Sequence, residues 1–229
     1  MGLYERDYAR PGFDNMKQSE SVIVSRIKET YKLFAASLMA GAIGVYTTLP
    51  AVATISQYFW PLVILEFIAL FGLYFLKEKP GINLVMLFAF TFLTGVTSVP
   101  LISYALSISG GGAIIGNAFL MTSVIFGAMS FFAIKSTKDF TTFTKPMFIA
   151  ILIIFAFSLI NAIFLHNPII SIIISGIVVL VFSFMIIIDT QNIVKYNLSP
   201  IEGAISLYID FLNIFLSLIQ LFIGFNNDD

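Results

Sequence analysis

Seven long apolar runs alternate with short polar breaks along the 229 residues of this chain. Each run is near the ~20 residues that carry an α-helix across a hydrocarbon layer. They read as residues 31–50, 58–76, 82–106, 114–134, 146–165, 169–188 and 203–223. Every break has a local cause. Pro50 and the polar stretch 54–57 end the first run, and Tyr58 and Trp60 sit where an interfacial aromatic belt would anchor the second. Lys-Glu-Lys-Pro-Gly at 77–81 is a charged turn, and the Ser-Gly-Gly-Gly stretch at 109–112 is a flexible connector. Lys145-Pro146 opens the fifth helix with proline near its first position. His166-Asn167-Pro168 makes a tight outer turn. Ser199-Pro200 opens the seventh helix, with Glu202 near the positive end of its dipole. Pro100 is predicted to kink the third helix. The small residues before it, Thr91, Thr94, Gly95 and Ser98, mark close packing between helices.

The basic residues order these runs across the membrane. Arg6, Arg10, Lys17, Arg26 and Lys28 precede the first run and Lys32 lies at its very start; Lys77 and Lys79 follow the second; Lys135, Lys138 and Lys145 follow the fourth; Lys195 follows the sixth. The loops after the first, third and fifth runs carry none. Basic residues stay on the cytoplasmic side, so the N-terminus is expected inside and the C-terminus outside. The fold class is all-α: a polytopic membrane protein of seven transmembrane helices. The expected organisation is a cytoplasmic tail over 1–30, a membrane domain over 31–225 and a short tail over 226–229. Residues 1–30 lack an apolar h-region, so no cleavable leader is expected and the first span does the targeting.

Composition agrees and narrows the function classes. The chain is 59% hydrophobic and 11% charged, with mean hydropathy +0.97, where a soluble domain carries roughly 25% charged residues. A net charge of −1 gives no case for nucleic acid. The absence of cysteine removes disulfides, thiol chemistry and Cys-based metal sites. No period repeats along the chain, and seven spans do not divide into two inverted halves as many transporters do.

Three acids fall where lipid would be: Glu66, Asp189 and Asp210. A carboxylate there costs several kcal/mol unless it is paired, protonated or hydrated. In the last helix Ser206, Asp210, Asn213, Ser217 and Gln220 step by 4, 3, 4 and 3, one continuous stripe on a helix. The stripe covers ~21 Å at 1.5 Å per residue. It faces protein or water, so the seventh helix is expected at the centre of the bundle. The same stripe serves equally as interhelical hydrogen-bond glue. Asp189 closes the sixth run and Asp210 lies about two turns into the seventh from the same side. An antiparallel hairpin brings the two carboxyls together, where they would share a proton and titrate as a pair. Alternatively, Asp189 is a solvated residue at a helix end. Glu66, near the middle of the second helix, either attracts cations or is a protonated structural group. Carboxyl, hydroxyl and amide oxygens are hard ligands that suit calcium rather than soft metals, with Asp189 and Asp210 its candidate ligands.

The stretches IIIDTQNIV (186–194) and ISLYIDFLNIFLSLIQLF (205–222) resemble the signature of the Bax inhibitor family, the transmembrane BAX inhibitor motif proteins. TFLTGVTSVPLISY (91–104) and VILEFIAL (63–70) are similar to its third and second helices. The resemblance covers roughly 30–225, and the bacterial YccA/YetJ-like branch is nearest in length and layout. It implies a central last helix and a calcium-permeable, pH-sensitive leak through the inner membrane. It also implies that Asp189 and Asp210 are the paired aspartates and Glu66 the acid of helix two. A latch from the position of Lys77 to an aspartate is implied as well. A relative carries arginine there, and lysine does not reproduce a bidentate guanidinium fork. Lipid, calcium and protons are the implied partners, with no resident cofactor. Relatives in this branch are associated with the membrane protease FtsH, and the polar tail 1–20 offers such a partner a handle.

Enzyme classes fit less well. An intramembrane aspartyl protease also has two aspartates on neighbouring helices. Here Asp210 lies in Leu207-Tyr208-Ile209-Asp210, without the Gly-x-Gly-Asp of that class and with no Pro-Ala-Leu after it. The single histidine, His166, lies in an outer turn, which does not suit a rhomboid-like serine protease. Zinc-protease ligands are missing, and a retinal protein needs a lysine in its last helix. The chain is expected not to be an enzyme.

Overall fold

The computed structural model describes residues 11–196 and 198–226, with side chains from residue 21 onward. The first ten residues of the expected N-terminal tail and residues 227–229 of the C-terminal tail lie outside the described residues.

Among the described residues, seven helices are long and apolar enough to cross a membrane. They are α1 (Pro11–Thr48), α3 (Phe59–Leu76), α4 (Ile82–Ser107), α5 (Gly111–Lys135), α6 (Thr144–Ile160), α7 (Pro168–Lys195) and α8 (Pro200–Asn226). A short α2 (Val52–Gln57) follows a 3-10 turn at Leu49–Ala51. A second 3-10 turn, Thr141–Phe143, leads into α6, and a π-turn, Asn161–Leu165, ends it. The protein is an all-α, multi-pass membrane protein.

Two helices outrun their apolar patterns. α1 starts at Pro11, well before the first run, so residues 11–30 are helical. α7 continues from the apolar 188 to Lys195, so Asp189 lies inside a helix and not at its end. Both extensions are polar, and hydrophobic counting alone does not register them.

Local chemistry fixes the helix ends. The Asn167 side chain accepts from Ile169 N and Ile170 N, capping α7 ahead of Pro168. Ser199 Oγ accepts from Glu202 N and donates to Glu202 Oε2, a capping-box exchange at the start of α8. Gly110 takes a left-handed conformation (φ 74°) that lets the chain reverse between α4 and α5.

α8 is the axis of the bundle. It packs against α1, α4, α5 and α7. Half of its apolar span is buried, against 6% for the peripheral span Thr141–Leu165. Phe211 of α8 meets the rings of Phe34, Phe119 and Phe126 edge-on, and Phe34 stacks on Phe126 at 4.9 Å. Further along α8, Ile214, Leu218 and Ile219 pack with Ile102, Ala105, Ala118 and Ile186.

α1 and α4 approach backbone to backbone. A Cβ at Gly95 would strike the Gly41 carbonyl, and one at Gly44 would strike the Phe92 carbonyl. Only glycine permits this spacing, the usual reason for small residues at membrane helix contacts. Basic side chains gather at one end of the bundle. Lys77, after α3, reaches Glu202 at the start of α8, and Lys195, at the end of α7, reaches the α5–α6 connection.

Candidate functional site, a buried aspartate pair on the central helix

Asp189 of α7 and Asp210 of α8 are 8% and 2% exposed. Their carboxyls are neighbours, each close enough to act on the other. The antiparallel α7–α8 hairpin produces this register. Gly203 sits against Ile193 at one end and Gln220 against Ser175 towards the other. Burial of Asp189 removes the reading of it as a solvated helix-end residue. Asp189 Oδ1 also accepts from Asn192 Nδ2 at 3.4 Å, whereas Asp210 Oδ2 is buried and meets no donor. Two carboxylates in contact are both acceptors, so the contact is attractive only when a proton lies between them.

The polar stripe of α8 divides among several partners. Gln220 Oε1 accepts from Ser175 Oγ of α7 at 2.6 Å, while Asn213 Nδ2 turns back to the Ile209 carbonyl of its own helix at 2.8 Å. Ser217 is buried, and Ser206 and Asn213 are half-buried. The stripe thus meets α7 at two levels, Asp210 and Gln220.

Glu66 of α3 lies apart from the pair. Its Oε2 accepts from Thr97 Oγ1 of α4 at 2.7 Å. Lys77 Nζ lies 2.6 Å from Glu202 Oε1, both side chains about one-third exposed (34% and 31%). The latch implied for this position runs to an aspartate; here the lysine is held by Glu202. The capped start of α8 places that acid beside the end of α3.

Sequence reasoning missed two residues near the pair. Tyr208 is fully buried on α8, two positions before Asp210. Its hydroxyl contacts Thr94 Oγ1, donates to the Thr91 carbonyl at 3.0 Å, and rests against Gly41. It ties α8 to α1 and α4 on the side away from α7. Gln191, two positions after Asp189, is fully buried and bonds one backbone carbonyl at the end of α5 and two backbone groups of the α5–α6 connection. A neutral amide at the end of an apolar run was the available signal for Gln191. A lone tyrosine among apolar residues gave almost none.

Calcium takes 6–8 oxygen ligands. Among the described residues no group of three or more His, Asp or Glu side chains comes together to hold a metal. The two carboxyls are spent on each other in this arrangement.

Fold and site define a class: a seven-helix membrane bundle whose central helix carries an acid paired with its neighbour. Residues 23–228 match the family described as inhibitor of apoptosis-promoting Bax1. The chain belongs to this Bax inhibitor family. It is 44% identical to Cj0236c of Campylobacter jejuni over 233 residues, covering 99% of this chain and 100% of that protein. A Helicobacter pylori (strain J99) protein is also 44% identical over 232 residues, with full coverage of both. The modulator of FtsH protease YccA of Escherichia coli K12 is 28% identical over 207 residues, 89% of this chain and 91% of YccA.

Proposed function

We propose that this protein is a slow, pH-dependent calcium leak of the bacterial inner membrane, gated by the Asp189–Asp210 pair and not an enzyme. The carrying observation is the juxtaposition of two buried carboxyls across the α7–α8 contact, with one Asp210 oxygen lacking any donor. With a proton between them, the carboxyls hold α7 to α8. With none, they repel. With both protonated, the negative charge that binds them through a strong charge-assisted bond is gone. The protonation state therefore biases a closed–open equilibrium. Glu66 and the oxygens of Asn213, Ser206, Ser217 and Gln220 supply hard ligands to the permeant ion. The N-terminus is cytoplasmic and the C-terminus outside, consistent with the basic residues gathered at one end.

Calcium flux into proteoliposomes across a pH series tests this reading. Asp210→Asn keeps size and polarity and removes titration, so its flux responds weakly to pH. An unchanged wild-type profile in the folded variant overturns the reading.

Similarity to YccA supports a second reading, a regulatory partner of the membrane protease FtsH. Deletion of the polar tail separates the two: it abolishes partner binding and leaves flux intact if both roles exist.

A further inference from the structure

One turn of α7 grips three different neighbours. Asp189 meets Asp210 of α8. Thr190 Oγ1 meets Ser130 Oγ of α5 at 3.4 Å. Gln191 meets the end of α5 and the connection that leaves it: its Nε2 donates to the Lys138 carbonyl at 2.9 Å and the Ala133 carbonyl at 3.3 Å, and its Oε1 accepts from Phe140 N at 2.8 Å. Successive helix positions point ~100° apart, so three consecutive side chains reach three partners. Displacing Gln191 would strand three backbone groups around a fully buried site, each carrying a desolvation cost.

The connection is also held from outside. Lys195 Nζ reaches the Ser136 and Lys138 carbonyls at 3.4 Å, and the Tyr196 hydroxyl donates to Asp139 Oδ2 at 2.5 Å. The Phe140 ring packs between Phe132 and Phe184, 5.8 Å from each. The loop is thus a strap across the ends of α5 and α7, fastened two residues from Asp189 of the acid pair.

We infer that Gln191 is a positioning residue for Asp189: by clamping the strap at residues 136–140 to α7 it keeps the Asp189 carboxyl in register with Asp210. The two events are one movement. The inner end of α7 does not swing away from α8 without releasing the strap, and a released strap leaves Asp189 without its fixed seat. The inference rests on the acid pair being the gate, but its test does not require conduction.

The test uses the full chain in lipid vesicles. Two quantities are read: hydrogen exchange at the Phe140 amide, and the rate at which a hydrophobic carbodiimide labels Asp210, followed by peptide mass spectrometry. In Gln191→Ala both rise, by roughly tenfold, the scale set by losing a backbone-directed hydrogen bond. The chain has no cysteine, so Ser136→Cys with Lys195→Cys gives two unique thiols that a short bifunctional reagent can bridge. Bridging refastens the strap and returns Asp210 labelling to the wild-type rate. Faster exchange at Phe140 with unchanged labelling of Asp210 overturns the inference and leaves Gln191 a clamp of the loop alone. If Gln191→Ala does not fold, bridging the two cysteines in an otherwise unaltered chain decides it: slower Asp210 labelling than in the unbridged sample supports the coupling, and equal labelling overturns it. Calcium flux in the same vesicles is scored separately. Its absence from every variant removes the leak reading and leaves the labelling result standing.

Discussion

The Tyr208 hydroxyl rests against Gly41, so close that a methyl group at that glycine would lie 2.6 Å from the phenolic oxygen. The same hydroxyl bonds the Thr91 carbonyl and Thr94. The central helix is therefore held on opposite sides by different chemistry. Neutral hydroxyls join it to α1 and α4, and two acids join it to α7. A change in protonation of the aspartate pair acts directly on the α7 side, so α7 is the element expected to move with it.

Replacing Gly41 by alanine forces the tyrosine side chain to shift and lowers stability by ~1–3 kcal/mol. Gly95→Ala is the more damaging change, because its methyl would meet the Gly41 backbone carbonyl, which cannot rotate aside. Gly116→Ala on α5 has open space around it and should be neutral or stabilising by about 0.5–1 kcal/mol. Thermal unfolding in detergent ranks the three; equal effects at Gly95 and Gly116 would reject the close α1–α4 contact.

Tyr208→Phe keeps the ring and removes the hydroxyl. It should cost about 1 kcal/mol of stability, the net scale of a hydrogen bond, and leave the midpoint of the pH response of flux in place. A displaced midpoint would show that Tyr208 belongs to the titrating unit.

Much of this architecture is legible in the sequence, and the illegible parts share a cause. Apolar runs locate the helices, because lipid demands them. The lysines set an expected orientation, and the 3–4 spacing of polar residues singles out α8, where Asp210 and Ser217 are buried and Asn213 is half-buried. The helix before residue 31 and the last turns of α7 are polar, so hydropathy does not show them. Gln191 and Tyr208 are harder still. Apart from the Thr94 hydroxyl, their partners are backbone carbonyls and an amide, which leave no trace in residue identity. Lys77 and Glu202 are both visible as charges, but 125 positions separate them, and only the folded chain pairs them.

Outside the membrane, Asp139 offers a titration with a definite sign. The Tyr196 hydroxyl, followed by the Thr141 hydroxyl and amide, donates to its carboxylate and holds it below the usual carboxylate range. A group depressed in the folded state stabilises the loop above its unfolded value and loses that contribution as pH falls through the folded one. Tyr196→Phe removes the largest cause, so the Asp139 midpoint moves up towards the ordinary value. Carbon-detected NMR titration of labelled aspartate reads the shift, and an unmoved midpoint would contradict the contact.

At the other end, Asn167→Ala deletes the cap of α7 and should lower stability by about 1 kcal/mol. Asn161→Ala should cost at least as much, since this buried side chain accepts from Asn167 N and donates to Ser171 Oγ. Chemical unfolding of the two single variants and the double variant should show them to be non-additive, because both act on the Asn167 backbone turn.

The central claim is that Asp189 and Asp210 act as one unit, and a double-mutant cycle on the pH response of calcium flux tests it most directly. The measurement compares wild type, Asp189→Asn, Asp210→Asn and the double variant in proteoliposomes over one pH series, each shown to be folded. The account predicts that either substitution alone flattens the response and that the second adds nothing. Two partial losses that sum in the double variant, or single variants that keep the wild-type profile, would contradict it.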